Sequence, residues 1–417
     1  MKFIKNYIIT LTLLLQFVLP AQTSSNYTRF GVGEIIYSNS SRNLGLGGLG
    51  ASIVNENFIS LVNPASLTKI KLTRAEFSAN YNGVFLSDNT NSGFYTSGGF
   101  DGLALAFPIS PANGITLSMG LLPFSNVNYL DVKKTSPSSD PSESFITTYE
   151  GSGSLSKLFL GSSFKLPFDL SLGITMDYYF GTMTYYSRIE FPDNITRRKS
   201  EFNNKRRPHG FGGTIGIISP DIAKLFSSNT FSDFRIGASV NLFSELDSDT
   251  LLIRTSAVGI DTLSNKSVKM HVPSRIIAGL SFIINKEYLF TFDYSQQNWS
   301  KFTFNGRKSI HLKDSFRYSF GIEHNNQKKG EGLNREHMIW RLGVSYEKTL
   351  YRFKGEDINE LAFYSGISLP LSLKNSLNLA LQYSIKGTNN SNLIKENRIK
   401  FSVGLSLGEL WFIRRRR

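Results

Sequence analysis

Four arginines are the residues of this 417-residue chain best placed to hold a ligand. Arg235, Arg317, Arg341 and Arg398 each sit in a run where polar and apolar residues alternate. Successive side chains of a strand point to opposite faces. If the apolar neighbours face lipid, each guanidinium faces the interior, where it could hold a carboxylate through paired, charge-assisted hydrogen bonds. It could equally pair with Asp177, Glu323 or a backbone carbonyl and serve only to satisfy the interior.

Signals for bond-making chemistry are nearly absent. His209, His271, His311, His324 and His337 fall in separate loops and strand ends, without the spacing of a zinc site. No G-x-S-x-G, H-E-x-x-H or Walker motif occurs. Glu245, Asp247 and Asp249 in SELDSD lack the full spacing of a calcium loop and read as a solvated acidic segment. Gly45, Gly47 and Gly50 satisfy G-x-G-x-x-G, but their flanks lack the strand and helix of a dinucleotide site. The expectation is a non-enzyme with no cofactor and no metal.

Composition points the same way. The chain has 33 Phe, 18 Tyr and 35 Gly, as strands, girdles and tight turns require. It has no cysteine, which removes disulfides, cysteine nucleophiles and thiolate metal sites. Mean hydropathy is −0.15, and past the N-terminus no apolar run approaches the roughly 20 residues of a spanning helix. The formal charge of +14 is scattered, apart from Arg197-Arg198-Lys199, Lys205-Arg206-Arg207 and Arg414 to Arg417. No nucleic-acid module accompanies it; anionic lipid head groups explain the sign.

From Leu72 onward period-2 alternation recurs to the end, broken by Gly, Pro, Asn and Asp clusters. In DLSLGITMDYY, Leu170, Leu172, Ile174, Met176 and Tyr178 oppose Ser171, Gly173, Thr175 and Asp177. SLNLALQYSIK (376–386) and RIKFSVGLSLG (398–408) repeat the pattern. About fourteen such segments are legible, an even number, as bacterial barrels require. Tight turns at Pro111-Ala112-Asn113, Leu166-Pro167-Phe168, Asn285-Lys286 and Leu371 to Lys374 alternate with long polar connections at 125–152, 188–208, 246–272 and 300–313. Short turns on one side and long loops on the other mark a transmembrane barrel. A soluble sandwich would alternate too, but without that asymmetry. The connections 219–232 and 325–336 are long on the short-turn side; DIAKLFSSN in the first could hold one helical turn.

The elements that must position the arginines therefore form an all-β, transmembrane antiparallel β-barrel of about 14 strands. Residues 1–21 read as a signal peptide: Lys2 and Lys5, an apolar core at Ile8 to Leu19, then Leu19-Pro20-Ala21. Residues 22–71 form a tail and a plug, or hatch; 72–410 form the barrel; 411–417 form a basic tail. In NLGLGGLGASIVNENFISLVNPASLT (Asn43 to Thr68), the glycines bar a regular helix and let the backbone turn where a side chain would clash. Pro64 ends the short segment Glu56 to Val62 by pushing Asn63 out of the helical region. An ordinary surface loop is the plainer reading of this stretch.

This order of LGLGGLGASI, Asn63-Pro64-Ala65 and then the strand-like LTRAEFSANYNG resembles the FadL/TodX family of outer-membrane transporters. VPSRIIAGLSFIIN, DYSQQNWSKF and LKDSFRYSFGIEH look like successive strands of that family, with Trp299 where a membrane-interface tryptophan is common. One departure is the end of the chain, where Trp411-Phe412 is followed by Ile413 and four arginines. The resemblance implies a multi-pass protein of the Gram-negative outer membrane, in contact with lipid and lipopolysaccharide. It implies passive uptake of hydrophobic small molecules, long-chain fatty acids among them, past the hatch. It makes 188–208 and 246–272 capture loops. Phe30, Leu44, Leu46, Leu49, Phe58 and Leu61, with Asn63, Pro64 and Ala65, would line the pocket and hatch, or simply pack the plug. Two alternatives stay open: a docking subunit of an outer-membrane secretion system, and a simple porin.

Overall fold

The computed structural model describes residues 25–136, 144–192, 198–226, 230–325, 338–372 and 374–409. The expected signal peptide, Trp411, Phe412, the basic tail, His337 and most of the 325–336 connection lie outside the described residues.

Fourteen long strands close on themselves. In chain order they are β1 (Thr73–Ser87), β2 (Ser92–Ser110), β3 (Ile115–Thr135), β4 (Phe145–Lys165), β5 (Ser171–Glu190), β6 (Ser200–Ile218) and β7 (Phe231–Phe243). They continue as β8 (Arg275–Ile284), β9 (Tyr288–Gln297), β10 (Ser315–Asn325), β11 (Ile339–Phe353), β12 (Glu356–Pro370), β13 (Ser376–Lys386) and β14 (Lys395–Glu409). Neighbours pair antiparallel throughout, and β14 returns to β1 from Glu409↔Thr73 to Lys395↔Ser87. Closure removes the free edges that an open sheet would expose, except where β2 and β3 part above Leu103↔Leu121.

Alternation sets the orientation as the sequence implies. On β5, Ile174 and Met176 are 52% and 62% exposed, while Asp177 between Met176 and Tyr178 is fully buried. No helix among the described residues is long and apolar enough to cross a membrane. The tight turns all lie at one end. Asn285 and Lys286 both take positive φ (52° and 59°), which matches the right-handed twist of the strands that they join. Ile222–Leu225 supplies the single helical turn in the 219–232 connection.

The long connections differ from the sequence reading. The first becomes strand, with β3 and β4 paired out to Thr135↔Phe145. Residues 246–272 form an outer hairpin, Leu246–Ser256 with Gly259–His271, whose first strand continues the wall by pairing with β6. Above the membrane the outward face has no lipid to meet. Polar residues suffice there, and hydrophobic alternation fades although the ladder continues.

Residues 25–72 lie against the inward faces of the strands. One helical turn, Ser41–Gly45, opens the hatch where the glycines led us to exclude a helix. The turn then breaks at Gly47, Gly48 and Gly50, with φ of 89°, 93° and 126°, a conformation closed to most side chains. Asn63 is extended, as Pro64 requires, and Pro64 also starts a helical turn, Pro64–Lys69, that the sequence reading lacks. Asn63 caps that turn by accepting from the Ala65 N–H, and Pro64 takes the first position, where no N–H is needed.

Trp299 is a further correction. It sits at 0% exposure inside the loop end of the barrel, 5.8 Å from the Phe302 ring, not at the lipid interface. It belongs to a buried cluster that includes Tyr27, Phe124, Tyr179, Phe302 and Tyr351.

Candidate functional site

The hatch is seated by charges and by glycines. Arg42 of the hatch reaches Glu323 on β10 at 2.9 Å, and Arg341 on β11 reaches the same oxygen at 2.6 Å. Arg317 on β10 holds Glu347 at 2.9 Å, the Gly47 carbonyl at 3.0 Å and the Tyr364 hydroxyl at 2.8 Å. Asp293 on β9 accepts from the Ala51 N–H at 2.8 Å. Asn63 donates to the carbonyls of Ala51, Ile217 and Ala238 at 2.7, 3.1 and 3.1 Å, tying hatch to wall.

At several of the closest approaches of the hatch to the wall, the wall residue is glycine. A Cβ on Gly173 would stand 2.3 Å from the Pro64 carbonyl carbon, and one on Gly216 would stand 2.0 Å from the Asn63 Oδ1. Gly237, Gly321 and Gly343 meet Ala51, Leu46 and Gly47 in the same way. The sequence pattern passes over this belt. The signal available was a glycine at an inward, mid-strand position in one strand after another.

The other half of the site is a break in the wall. Among the described residues, β2 and β3 pair only from Leu103↔Leu121 to Ser110↔Ile115. Above that point the strands part. Asn39 spans the base of the split, its side-chain amide donating to the Asp101 and Pro123 carbonyls, both at 3.0 Å. Higher up, the tail pairs with β3 at Glu34↔Asn126 and Ile35↔Ser125.

Behind the split lies a cavity of about 430 Å³. Its lining takes in Ser97–Asp101 on one side of the split and Pro123, Ser125, Asn126 and Asn128 on the other. It reaches Phe100 and Ile399, both exposed on the outer wall. Deeper, Arg398 on β14 pairs with Glu34 and Glu396, and Lys386 on β13 pairs with Glu34 at 2.9 Å. Burial pushes the Glu34 carboxyl up, but Arg398 and Lys386 outweigh it and hold the group at about 2. Lys400 holds Asp101 at 2.8 Å. The walls are thus ionic and polar as well as apolar.

The expected pocket residues are spread widely. Leu44, Arg317 and Arg398 line the cavity. Arg341 is taken up by Glu323, and Arg235 pairs with Asp233 at 2.7 Å near the turn end. Phe30 stands in the outer aromatic core, 4.3 Å from His311. Leu46 and Leu49 are buried in the hatch, Phe58 lies under Arg42, and Leu61 packs on the cluster of Ile59, Leu67 and Phe159. Asn63, Pro64 and Ala65 are fully buried anchors. Glu34, Lys386, Arg42 and Tyr351 were not singled out in the sequence, although Glu34 is the lone acid of the tail.

A family model described as BamG matches residues 3–417. The chain belongs to the BamG family. Among solved structures, this BamG-family chain is similar to the CymD monoaromatic hydrocarbon channel, at 15% identity and a TM-score of 0.59, with 91% of this chain and 100% of that one covered. It is similar to the Ralstonia pickettii toluene transporter TbuX at 12% identity, a TM-score of 0.60 and coverage of 90% and 99%. A Pseudomonas aeruginosa FadL homologue matches at 10% identity, a TM-score of 0.52 and coverage of 94% and 99%. A comparison with curated proteins finds no match. At these identities the likeness is one of fold: the BamG-family chain shares the closed fourteen-strand barrel of FadL-type channels.

Proposed function

We propose that the protein passes hydrophobic small molecules across the outer membrane of a Gram-negative bacterium, with long-chain fatty acids the first class to test. The turn end faces the periplasm, and the loop end meets lipopolysaccharide. The observation that carries this reading is the split between β2 and β3 with a cavity behind it. A hydrophobic solute gains little from a water-filled pore. A cavity that removes it from water stabilises it by roughly 25 cal/mol per Å² buried, and a split wall offers a sideways exit into the bilayer. The ionic walls favour a solute that carries a polar head over a bare hydrocarbon. Proteoliposomes with the purified protein should take up oleate with saturation. Free ion conductance in planar bilayers would point to a porin instead and would overturn the proposal.

A second reading rests on the family match. The name BamG invites a Bam-associated docking subunit, for which the filled lumen is a scaffold. Its mark is co-purification with a large outer-membrane partner, without saturable binding of oleate.

A further inference from the structure

The charges around the cavity can be matched one by one. Arg317 on β10 holds Glu347 on β11 at 2.9 Å, and Lys400 on β14 holds Asp101 on β2 at 2.8 Å. Lys386 and Arg398 share Glu34 of the tail, and Arg398 also holds Glu396. Four cations thus meet four carboxylates. Glu360 on β12 lines the same cavity as one carboxylate more, and it is left over.

Glu360 points inward, as alternation on β12 requires. Ile358, Ala362 and Tyr364 are buried on the same face, while Leu361 and Phe363 are exposed on the outer wall. Glu360 itself is 8% exposed. Among the described residues it takes part in no hydrogen bond and no ion pair. Its neighbours across the ladder do not help. On one side stands Glu347, a like charge, whose two oxygens are taken by Arg317 and by the Tyr37 hydroxyl at 3.0 Å. On the other stands Lys386, which turns to Glu34 at 2.9 Å. Like charges directly opposite each other destabilise a sheet, and buried charges are ordinarily paired. An unpaired carboxylate here costs the barrel stability and anchors no part of the hatch.

The space in front of it suits a cation. The Tyr351 hydroxyl is buried without a hydrogen-bond partner, and its residue lines the cavity. One ammonium already sits on this side: the Lys386 Nζ lies 5.2 Å from the Tyr351 ring and 5.9 Å from the Tyr27 ring, distances at which a ring face attracts a cation. At about 430 Å³ the cavity falls in the range of small-molecule sites. We propose that it binds the protonated amine head of an amphiphile, with Glu360 as the counter-ion and the Tyr351 hydroxyl as a further acceptor. The seated tail belongs to this site. Glu34 keeps Lys386 and Arg398 occupied, so that Glu360 is the one charge among the described lining residues left to recognise a ligand. A carboxylate head finds every cation there already paired. The inference rests on the uptake reading above, and it names the head group that the cavity selects.

Octylamine, octanol and octanoate are soluble probes that differ only in the head. In calorimetric titrations of the full-length protein in lipid nanodiscs, with empty discs subtracted, octylamine should bind one to one. Octanol and octanoate should each bind about tenfold more weakly or worse. E360Q should lower the affinity for octylamine about tenfold and leave that for octanol unchanged, and E360D should restore part of the loss. E360Q should unfold no earlier than the natural chain, since it removes a like-charge pair; earlier unfolding would mark Glu360 as a structural partner and count against the site. Octanoate binding as tightly as octylamine overturns the proposal, as does an octylamine affinity indifferent to E360Q. Uptake is scored separately with oleate in proteoliposomes. Saturable oleate uptake without octylamine binding sinks the amine site and leaves the channel standing; octylamine binding without oleate uptake does the reverse.

Discussion

At the residue scale, the interior is organised by ions that serve the hatch before any ligand. Glu323 joins Arg42 and Arg341, and all three are buried. Replacing one member of such a cluster leaves charge uncompensated, at a cost of about 3–5 kcal/mol. We therefore expect E323Q to lower the unfolding free energy by about that much in denaturant titrations of the vesicle-embedded barrel. R42A should cost less, because Glu323 keeps Arg341. Glu34 gives a pH test. Its folded value of about 2 lies below the ordinary carboxylate value near 4.3. A depressed acid contributes stability in full above the ordinary value and loses it as pH falls toward the folded one. The groups facing it are Arg398 and Lys386, with Glu396, Glu360 and Tyr351 beyond them. A spin label at N26C on the tail should stay immobile from pH 7 to about 4.5 and loosen progressively toward pH 2. A tail equally mobile across that range would contradict the ion-pair account.

At the element scale, the strands were legible because lipid outside and hatch inside impose opposite chemistry on alternate residues. DLSLGITMDYY could be oriented from its letters alone, and Asp177 lies where the alternation puts it. The stretch 43–68 was legible as a break in that alternation, and its glycines do take left-handed backbone at 47, 48 and 50. Asn63 lies outside the helical region as Pro64 requires; the turn that Pro64 begins was not legible, because proline both ends and begins helical turns, and local sequence does not say which. The split between β2 and β3 left no trace at all. Whether a strand edge finds a partner depends on its neighbour's path, not on its own side-chain pattern. Trp299 was placed in lipid by analogy, although it sits in a turn of 3-10 helix beyond β9 that swings it inward. The glycine belt supplies the prediction here. In G173A the new Cβ must push the Pro64 backbone, since it would lie 2.3 Å from the carbonyl carbon. We expect the barrel to form with the hatch displaced, read as protease cleavage within 43–68 while the heat-modifiable barrel band persists on gels. A control on the outer hairpin, V258A at a fully exposed tip, should leave both readouts unchanged.

At the scale of the whole molecule, a closed barrel of fourteen strands is wider than its own inward side chains can fill. Eight strands leave room for little but side chains, whereas sixteen to eighteen leave an aqueous channel. We propose that residues 43–68 make up the difference. Their removal should therefore convert the protein from sealed to conducting and not simply unfold it, because the outward apolar faces and the β14 to β1 closure do not depend on residues 43–68. Deleting that stretch exposes the Arg341–Glu323 and Arg317–Glu347 pairs to water, where each charge is solvated and the loss is tolerable. Single-channel recordings in planar bilayers should show no steps for the intact chain and clear steps for the deletion, with saturable oleate binding lost in parallel. Silence from a correctly inserted deletion variant would mean that the aromatic core around Trp299 and Tyr351 seals the loop end unaided. The hatch would then be a platform for the tail and not the stopper of the pore.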